Sequence, residues 1–361
     1  MAPFPSTTDK FSRKVLSWAM LLLFFPAVVA VNQLFLWAFP VKQDALSSVA
    51  TEFFASQQNL IQGAYVYQPR QPKDLFATYY ITLGTQMASR GQMLAAEDLL
   101  NKAVELAPKD AVVHLNYGLV LEALERDSAA IESYEKAAEL MPELVIAQYN
   151  AGLLYDKMGK TDKGIDRIQS ALKYEPDSPF LNYDLGVMFA KKHDFANSAL
   201  YSQRAAEAHE DFAEAYNNYA YALAHLGKHE EALAMAEKSL ALKPDSAASL
   251  DTRGFALQGM QKYEEAIEDY NKALKIDPAI GEIYLHLGQC YEALDNYKKA
   301  YRAYEIYLNL TPDALDKVQT ERKISKLKKL TRKKNRTKKN NDSKKEDADN
   351  QESDDHDKLS S

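Results

Sequence analysis

Cysteine is almost absent from this chain. Cys290 is the only cysteine among 361 residues, so no internal disulfide can form and cysteine usage does not decide the compartment. Tryptophan is nearly as scarce, and its two copies, Trp18 and Trp37, both lie near the N-terminus. Whatever fold the rest of the sequence adopts must therefore form without a disulfide and with tyrosine and phenylalanine as its aromatic residues.

Patterns that would indicate catalysis or metal binding are also missing. The triplet GKT at 159–161 lacks the glycine that a phosphate-binding loop needs five residues before its second glycine, because Leu154 stands there. His225 and His229 lie close together in sequence but have no third ligand nearby, as a zinc site requires. No nucleophile, base and orienting group recur together. We therefore predict that the protein is not an enzyme and has no catalytic residue, no bound metal and no cofactor.

Three series of residues recur at an interval of 34 positions. The first consists of prolines, interrupted once by Glu210: Pro108, Pro142, Pro176, Pro244, Pro278 and Pro312. The second is mainly glycine: Gly84, Gly118, Gly152, Gly186, Ala220, Gly254 and Gly288. The third consists of small residues: Ala96, Ala130, Gly164, Ser198, Ala232, Ala266 and Ala300. The three series agree on seven units without insertion or deletion, which indicates an internal repeat.

The chemistry of each unit indicates two helices. Between a glycine and the next proline, apolar residues recur at helical spacing, as at Tyr263, Ala266, Ile267, Tyr270 and Leu274. A proline cannot continue a helix and also restricts the residue before it, so each proline ends one. The small residues lie within the helices, where they let a neighbouring backbone come close. Each unit is therefore predicted to be a helix-turn-helix.

These positions resemble the tetratricopeptide repeat family, whose signature spaces W, L, G, Y, A, F and P over 34 residues. The seventh unit carries the matching residues Tyr284, Leu287, Gly288, Tyr291, Ala300, Tyr304 and Pro312. The resemblance spans residues 77–312 and implies an all-α, right-handed superhelical solenoid of seven repeats. The fourth unit departs most, with Ser198, Ser202 and Glu210 at signature positions, which is compatible with a looser stack or with ordinary sequence drift.

The resemblance also implies a binding surface. In this family the first helices of the repeats line a concave surface, where an asparagine ladder holds the backbone of an extended peptide. The corresponding residues, two before each glycine position, are Thr82, Asn116, Asn150, Asp184, Asn218, Thr252 and His286. We predict Asn116, Asn150, Asp184 and Asn218 as the ladder, because an amide both donates and accepts hydrogen bonds. The competing interpretation is that Asn is simply common at this position in the family.

The same helices carry apolar and aromatic residues around the ladder. We add seven of them to the predicted peptide-binding site: Leu119, Tyr149, Leu153, Tyr183, Val187, Tyr221 and Phe255. Such a stripe favours an extended peptide with alternate large side chains, although packing between successive first helices is expected to bury part of it. The predicted function is a membrane-tethered scaffold or receptor that binds a partner protein's extended segment. The alternative is a structural assembly subunit that self-associates through end or convex surfaces.

The membrane prediction rests on residues 15–40, which contain no charged residue. A cleaved secretory signal and a retained transmembrane anchor both fit. The run is long for a signal, and Trp18 and Trp37 are separated by 19 positions, or ~28 Å along a helix, close to the ~30 Å thickness of the hydrocarbon core. These features favour the retained anchor.

Charges around the anchor set the predicted orientation. Three cations precede it, Lys10, Arg13 and Lys14, whereas Lys42 after it is offset by Asp44. The positive-inside bias therefore predicts a cytoplasmic N-terminus, residues 1–14, and an extracytoplasmic repeat domain, periplasmic if the source is bacterial.

Flanking segments complete the predicted organisation. Residues 41–76 are expected to be a linker with a short docking helix. Residues 313–330 are expected to cap the solenoid with a helix whose apolar face carries Leu315, Val318, Ile324, Leu327 and Leu330. Residues 331–361, basic and then acidic, are predicted to be disordered because they are nearly devoid of apolar residues.

Charge balance differs along the chain. Residues 77–312 contain 23 Lys and Arg against 36 Asp and Glu, a balance of minus 13, whereas the whole chain has a net charge of minus 7. The repeats should therefore prefer neutral or basic partners and should not bind nucleic acid. The basic part of the tail is open to weak contact with an anionic surface or, as the simpler interpretation, only solvates the chain's end.

Overall fold

The computed structural model describes residues 72–337, and this part of the chain contains helices and turns but no strand. Fourteen helices follow one another: α1 Pro72–Ser89, α2 Met93–Leu106, α3 Ala111–Ala123, α4 Asp127–Leu140, α5 Val145–Lys157, α6 Thr161–Leu172, α7 Pro179–Lys191, α8 Phe195–Ala208, α9 Ala213–His225, α10 His229–Leu242, α11 Ala247–Gly259, α12 Tyr263–Ile276, α13 Gly281–Ala293 and α14 Tyr297–Leu310. A further helix, α15, occupies residues 317–337. The all-helical prediction is confirmed.

Consecutive helices pair into hairpins: α1 with α2, α3 with α4, α5 with α6, α7 with α8, α11 with α12 and α13 with α14. In the described residues each hairpin turn places one exposed residue in the left-handed region, with φ between 54° and 78°: Gly91, Glu125, Gly159, His193, Gly227, Gln261 and Asp295. The backbone N–H that follows this residue returns to the first helix, as from Arg126 to the carbonyl of Leu121 at 2.9 Å. This is the Schellman arrangement, which satisfies carbonyls left unpaired at a helix end.

The helices form two compact units, residues 72–218 and residues 219–337. In the first unit the main cluster of buried residues joins α1 to α5 and includes Leu100, Leu115 and Tyr134. In the second unit a cluster spanning α11 to α14 includes Leu257, Tyr270 and Ile283. Each unit thus buries the apolar faces of successive helices against one another, as stacked hairpins must.

The glycine series marks close contact inside each hairpin. A Cβ atom added to Gly118 would lie 2.7 Å from the Tyr134 ring, and one added to Gly288 would lie 2.5 Å from the Tyr304 ring. The contacting residue comes 16 positions after the glycine. In the fifth hairpin that residue is Ala236, which accounts for the replacement of glycine by Ala220 in the series.

The buried face of the C-terminal helix differs in part from the predicted capping face. Ile324 and Leu327 are buried as expected, but Leu315 is 94% exposed and Val318 is 60% exposed. Leu315 precedes the helix, which begins at residue 317, and the buried face starts instead at Thr320, four positions before Ile324. Because the face follows the spacing of Thr320, Ile324 and Leu327, Val318 falls outside it.

Helix α15 also continues past the predicted boundary at residue 330 and into the segment predicted to be disordered. It is helical to residue 337, the last one described. Lys334 near this end donates a hydrogen bond to the carbonyl of Asp295 at 3.1 Å, and its Nζ lies 5.5 Å from the centre of the Tyr297 ring. Contacts of Lys334 with Asp295 and Tyr297 therefore hold this end of α15 against the last hairpin, where apolar residues are lacking.

The predicted membrane localisation is wrong for the part of the chain that the structure describes. Between residues 72 and 337, no helix has both the length and the apolar character needed to cross a bilayer. This finding overturns the prediction of a single-pass protein with extracytoplasmic repeats. The predicted anchor at 15–40, the N-terminus at 1–14 and most of the linker at 41–76 lie outside the described residues, as do tail residues 338–361.

Candidate peptide-binding surface

Within each unit, first helices of successive hairpins are neighbours, as the resemblance implies. Side chains bridge them directly: the Tyr149 hydroxyl on α5 donates to Asp184 Oδ2 on α7 at 2.7 Å. In the second unit, Gln258 Nε2 on α11 donates to Gln289 Oε1 on α13, also at 2.7 Å. Residues separated by about one repeat in sequence therefore come together on one side of each unit.

The outer members of the predicted ladder are buried. Asn116 is fully buried, and its amide nitrogen donates to the carbonyl of Val112 in its own helix at 3.0 Å. Asn218 is 8% exposed. The Asn116 Oδ1 and Asn218 Nδ2 atoms have no hydrogen-bond partner among the described residues. Buried polar atoms without a hydrogen-bond partner are uncommon. These two amides could each form a further hydrogen bond, but they expose little surface to a ligand.

The inner members of the ladder already have partners. Asn150 is half-buried, and its side chain hydrogen-bonds the Tyr134 hydroxyl. Asp184 is buried and accepts the hydrogen bond from Tyr149. Two predicted site residues, Tyr149 and Asp184, are thus brought together, but they bind each other. A peptide that used these groups would have to compete with the bonds of the stack itself.

Six residues of the predicted stripe remain accessible. Leu119 is 1% exposed and belongs to the core, because it follows Gly118 at the closest approach of α3 and α4. The other members of the stripe are partly exposed: Tyr149, Leu153, Tyr183, Val187, Tyr221 and Phe255. The surface offered to a ligand is therefore aromatic and aliphatic more than it is amide.

A row of rings lies on the first helices of the second unit. The Tyr221 ring centre is 4.3 Å from that of His225, which is 5.0 Å from Phe255. The Phe255 ring in turn stacks on His286 at 5.2 Å, with an angle of 25° between the planes. His225 was not among the predicted binding residues, because in the sequence it stands out only as one of a pair of nearby histidines with His229. Its spacing of four from Tyr221 places both on one helix face and could have indicated it.

Two carboxylates border this row. His286 Nδ1 donates to Asp251 Oδ1 at 3.2 Å, and their side chains keep 19% and 23% exposure. Burial raises the pKa of Glu282, with His286 opposing the shift and Asp251 adding to it. Burial, together with Glu282 and Asp251, raises the pKa of Tyr221 to about 12. The surroundings of the rings are therefore partly desolvated and negative.

The cation nearest in sequence to these carboxylates is already paired. Arg253 is the only Lys or Arg on α11 and α13, and its guanidinium makes two bonds to Asp269, from Nε at 2.6 Å and from the second terminal nitrogen at 2.7 Å. Hydrogen bonding to Asp269 raises the pKa of Arg253, whose charge is thus directed towards α12. Asp251 and Glu282 have no comparable cation on their own helices.

Groups considered for chemistry do not form a site. The GKT triplet at 159–161 spans the turn after α5 and the first residue of α6. Across residues 72–337, no group of three or more His, Cys, Asp or Glu side chains is placed to hold a metal ion. Burial raises the pKa of the Cys290 thiol to about 12, so this sulfur remains protonated, and it donates to Gln258 Oε1 at 3.3 Å.

Stacked helical hairpins with bridged first helices define a protein of the helical-repeat class. Two family models described as tetratricopeptide repeat match the chain, one at residues 88–143 and 149–208 and the other at residues 211–279. The chain therefore contains tetratricopeptide repeats, and the resemblance seen in the sequence is confirmed. A model described as regulator of microtubule dynamics protein 1-3 matches residues 258–333. No curated protein matches the chain.

Two solved structures show the same fold, and a third is similar over about half of the chain. A tetratricopeptide repeat protein from Parabacteroides merdae is 18% identical with a TM-score of 0.52, and the match covers 71% of this chain and 99% of that one. The Cut9–Hcn1 hetero-tetramer of the APC/C is 16% identical with a TM-score of 0.52, covering 89% and 64%. YrrB, described as a TPR protein with an unusual peptide-binding site, is 27% identical with a TM-score of 0.47, covering 53% and 97%.

The family matches leave part of the prediction open. They begin at residue 88 and the tetratricopeptide matches end at residue 279, so they do not cover most of the first hairpin or the last one. The count of seven repeats of this family therefore stays a prediction, although the hairpins at both ends share the geometry of the rest.

Proposed function

We propose that the chain is a protein-interaction scaffold that binds an extended segment of a partner protein along the first helices of its hairpins. One observation carries this proposal: successive first helices leave aromatic and aliphatic side chains partly exposed at equivalent positions, Tyr149 with Tyr183 and Leu153 with Val187. A surface that repeats every 34 residues suits a ligand that also repeats along its length, and an extended peptide does so. Tyrosine is among the residue types enriched where most of the binding energy of an interface is concentrated.

The stripe, rather than the amide ladder, would provide most of the affinity. The ladder residues are buried or already hydrogen-bonded, so their contribution to a complex must be reduced by the bonds that they lose. Apolar side chains have no such competing bonds, and their burial against a peptide is favourable by about 25 cal/mol per Å². We therefore propose the apolar side chains of the stripe as the main binding determinants, with a smaller role for the peptide backbone.

Selection from a displayed library of random linear peptides tests the proposal with the full chain. The groove variant alters two residues of the stripe and combines Leu153→Gln with Val187→Gln. The control combines Leu200→Gln with Leu242→Gln, which alters apolar residues of 42% and 40% exposure on second helices. We expect peptides enriched by the parent to bind the control equally and the groove variant at least ~10-fold more weakly, because two contacts of about 1 kcal/mol are lost.

Circular dichroism and the midpoint of thermal unfolding establish that both variants fold. Equal binding by the groove variant and the parent would place the site elsewhere. Failure of the parent to enrich any peptide would remove the proposal altogether.

A second function, self-association into a structural assembly, is favoured by a different surface. Second helices expose large apolar residues, among them Leu94 at 64% and Ile276 at 47%. Light scattering of the full chain over a range of concentrations separates the functions. A scaffold keeps a constant mass, whereas an assembly subunit grows with concentration, and Leu94→Gln with Ile276→Gln should then reduce the growth.

A further inference from the structure

We propose that the ring-carboxylate group of the second unit, formed by Tyr221, Asp251, Phe255, Glu282 and His286, binds a lysine or arginine side chain of the partner segment. This proposal deepens the proposed function and depends on it, since it assigns one subsite within the same surface. It goes further by naming the charge of the ligand.

The geometry brings aromatic faces and carboxylates together from three first helices. Tyr221 comes from α9, Asp251 and Phe255 from α11, and Glu282 and His286 from α13. Phe255 lies between two histidine rings, 5.0 Å from His225 and 5.2 Å from His286, and Asp251 Oδ1 lies 3.2 Å from His286 Nδ1. All five side chains are partly buried, yet all remain in contact with solvent. A ligand can therefore reach them without opening the core.

The chemistry suits a cation with an aliphatic stem. An ammonium or guanidinium group is attracted to the face of an aromatic ring, and the attraction grows when water is partly excluded. The methylene groups of Lys or Arg can lie along the rings while the charged end meets the carboxylates. Arg253, the one cation of α11 and α13, is held by Asp269 and does not neutralise this group.

Other ligands fit less well. An acidic side chain would bring a like charge towards Asp251 and Glu282, which is repulsive at short range. A purely apolar side chain would remove water from both carboxylates without supplying a counter-charge, and this desolvation is costly. The repeats carry a balance of minus 13, so the approach of a basic segment is also favoured at long range.

Two sets of measurements on the full chain test the assignment. Peptides recovered from the random library are resynthesised with each Lys or Arg replaced by norleucine, which has a similar stem and no charge, and affinity is measured by fluorescence anisotropy. Replacement at one basic position should weaken binding to the parent ~10-fold. In the variant that combines Asp251→Asn with Glu282→Gln, the same replacement should have almost no further effect.

Matched variants distinguish this subsite from general charge. The control combines Asp245→Asn with Glu268→Gln, exposed residues outside the group, and so removes the same two charges. It should retain the ~10-fold preference for the basic peptide. Phe255→Leu keeps every charge and should reduce the preference by removing the ring, which also covers the case in which the first variant does not fold.

Each outcome bears on a different statement. If library peptides bind but norleucine replacement changes nothing, or if control and subsite variants behave alike, the subsite is overturned while the scaffold function stands. The carboxylates would then serve only to hold His286 in place. If no peptide binds the parent, the scaffold function fails and this subsite fails with it.

Discussion

At the scale of single residues, the recurring glycine marks a contact and not a flexible point. Gly118 and Gly254 lie in mid-helix, where glycine is costly, yet each allows a buried tyrosine of the next helix to touch the backbone. The tyrosine hydroxyl then bonds a residue one turn after the glycine, as from Tyr134 to Glu122 at 2.7 Å and from Tyr270 to Gln258 at 2.9 Å. Glycine, tyrosine and the polar acceptor therefore act as one unit.

A double-mutant cycle at Gly118 and Tyr134 tests this coupling. Gly118→Ala should destabilise the parent by about 1–3 kcal/mol, because its methyl group would press on the ring. In a Tyr134→Ala background the same change should cost less than about 0.5 kcal/mol, as the natural pair Ala220 and Ala236 suggests. Urea unfolding followed by circular dichroism measures both. Equal costs in the two backgrounds would show that the glycine has another purpose.

Glu282 makes stability depend on pH in a defined direction. Its pKa is raised in the folded state by burial and by Asp251, against the effect of His286, and the Tyr221 ring lies among the same groups. A raised carboxyl pKa stabilises the fold below the unfolded value, about pH 4, and this contribution is lost as pH rises through the folded value. The neutral carboxyl is therefore the form that the fold prefers.

Replacement by a permanently neutral residue should remove this dependence. The free energy of unfolding of Glu282→Gln, relative to the parent, should increase as pH rises from below 4 to 7, by an amount set by the pKa shift. Urea unfolding at several pH values measures the difference. A difference that stays constant or falls with pH would contradict the assignment of burial as the dominant cause.

At the scale of elements, the hairpin turns follow a series of their own. One residue in every 34 adopts positive φ, but it is glycine only at Gly91, Gly159 and Gly227 in the described chain. At the other four positions a side chain is held in a conformation that costs roughly 1 kcal/mol. The conformation of the turn is therefore determined by the helices that it joins and by its Schellman hydrogen bonds. Glycine lowers the conformational cost of the turn but is not required for it.

Exchanges at this position should have opposite signs in neighbouring hairpins. Gln261→Gly should stabilise by up to about 1 kcal/mol, because φ of 62° suits glycine. Gly227→Ala should destabilise by about 1–2 kcal/mol, because φ of 77° does not suit alanine. Both sites are exposed, so packing changes little. Thermal unfolding compares them, and a shift of the same sign in both would show that the turns are not equivalent.

In the first unit, side chains form hydrogen bonds to the backbone of the turns between hairpins. Asn182 donates to the carbonyl of Pro176 at 3.0 Å, and Gln148 and His114 bond the carbonyls of Pro142 and Pro108 in the same way. Each of these residues follows its proline by six positions. In the second unit, Leu250 occupies this position after Pro244 and has no polar group. The proline ends the helix, and a polar side chain of the next helix fixes the turn.

At the scale of the whole molecule, stability should be distributed locally. Buried clusters join helices that are close in sequence: one in the second unit links Ala300 and Tyr304 of α14 to Ile324 and Leu327 of α15. Repeat proteins of this kind behave as one-dimensional arrays in which a change affects its neighbours first. The end helix therefore protects the last hairpin, and more distant hairpins depend on it less.

Leu327→Ala tests this locality, with Leu315→Ala as its control. Leu327 is 1% exposed and its truncation should cost about 2–5 kcal/mol, whereas Leu315 is 94% exposed and should cost less than about 0.5 kcal/mol. Hydrogen exchange should accelerate in α13 and α14 of the first variant and stay unchanged in α1 and α2. Uniform acceleration along the chain would show a single cooperative unit instead.

The sequence by itself determined the repeat, the helices and the family. The period can be read from Pro108, Gly118, Ala130 and their equivalents at intervals of 34 residues. Proline and glycine restrict or free the backbone locally, so their effect on the helices is visible in the sequence alone. Amphipathic spacing then determines which face of each helix is buried. The first-helix surface was likewise predictable in outline, since residues one repeat apart must lie on neighbouring helices.

Only the tertiary structure decided which of those surface residues are available. Asn116, Asn150 and Asp184 were predicted as a ladder, but the burial of Asn116 and Asp184 and the bond from Tyr149 to Asp184 depend on how the hairpins stack. Val318 and Leu327 likewise carry the same apolar character in sequence and differ in exposure because packing against α14 selects one helical phase. The row from Tyr221 to His286 joins three helices, so only stacking brings its rings and carboxylates together. The chemistry of a side chain limits the contacts that it can make, and the packing of helices decides which of those contacts form and which residues stay exposed.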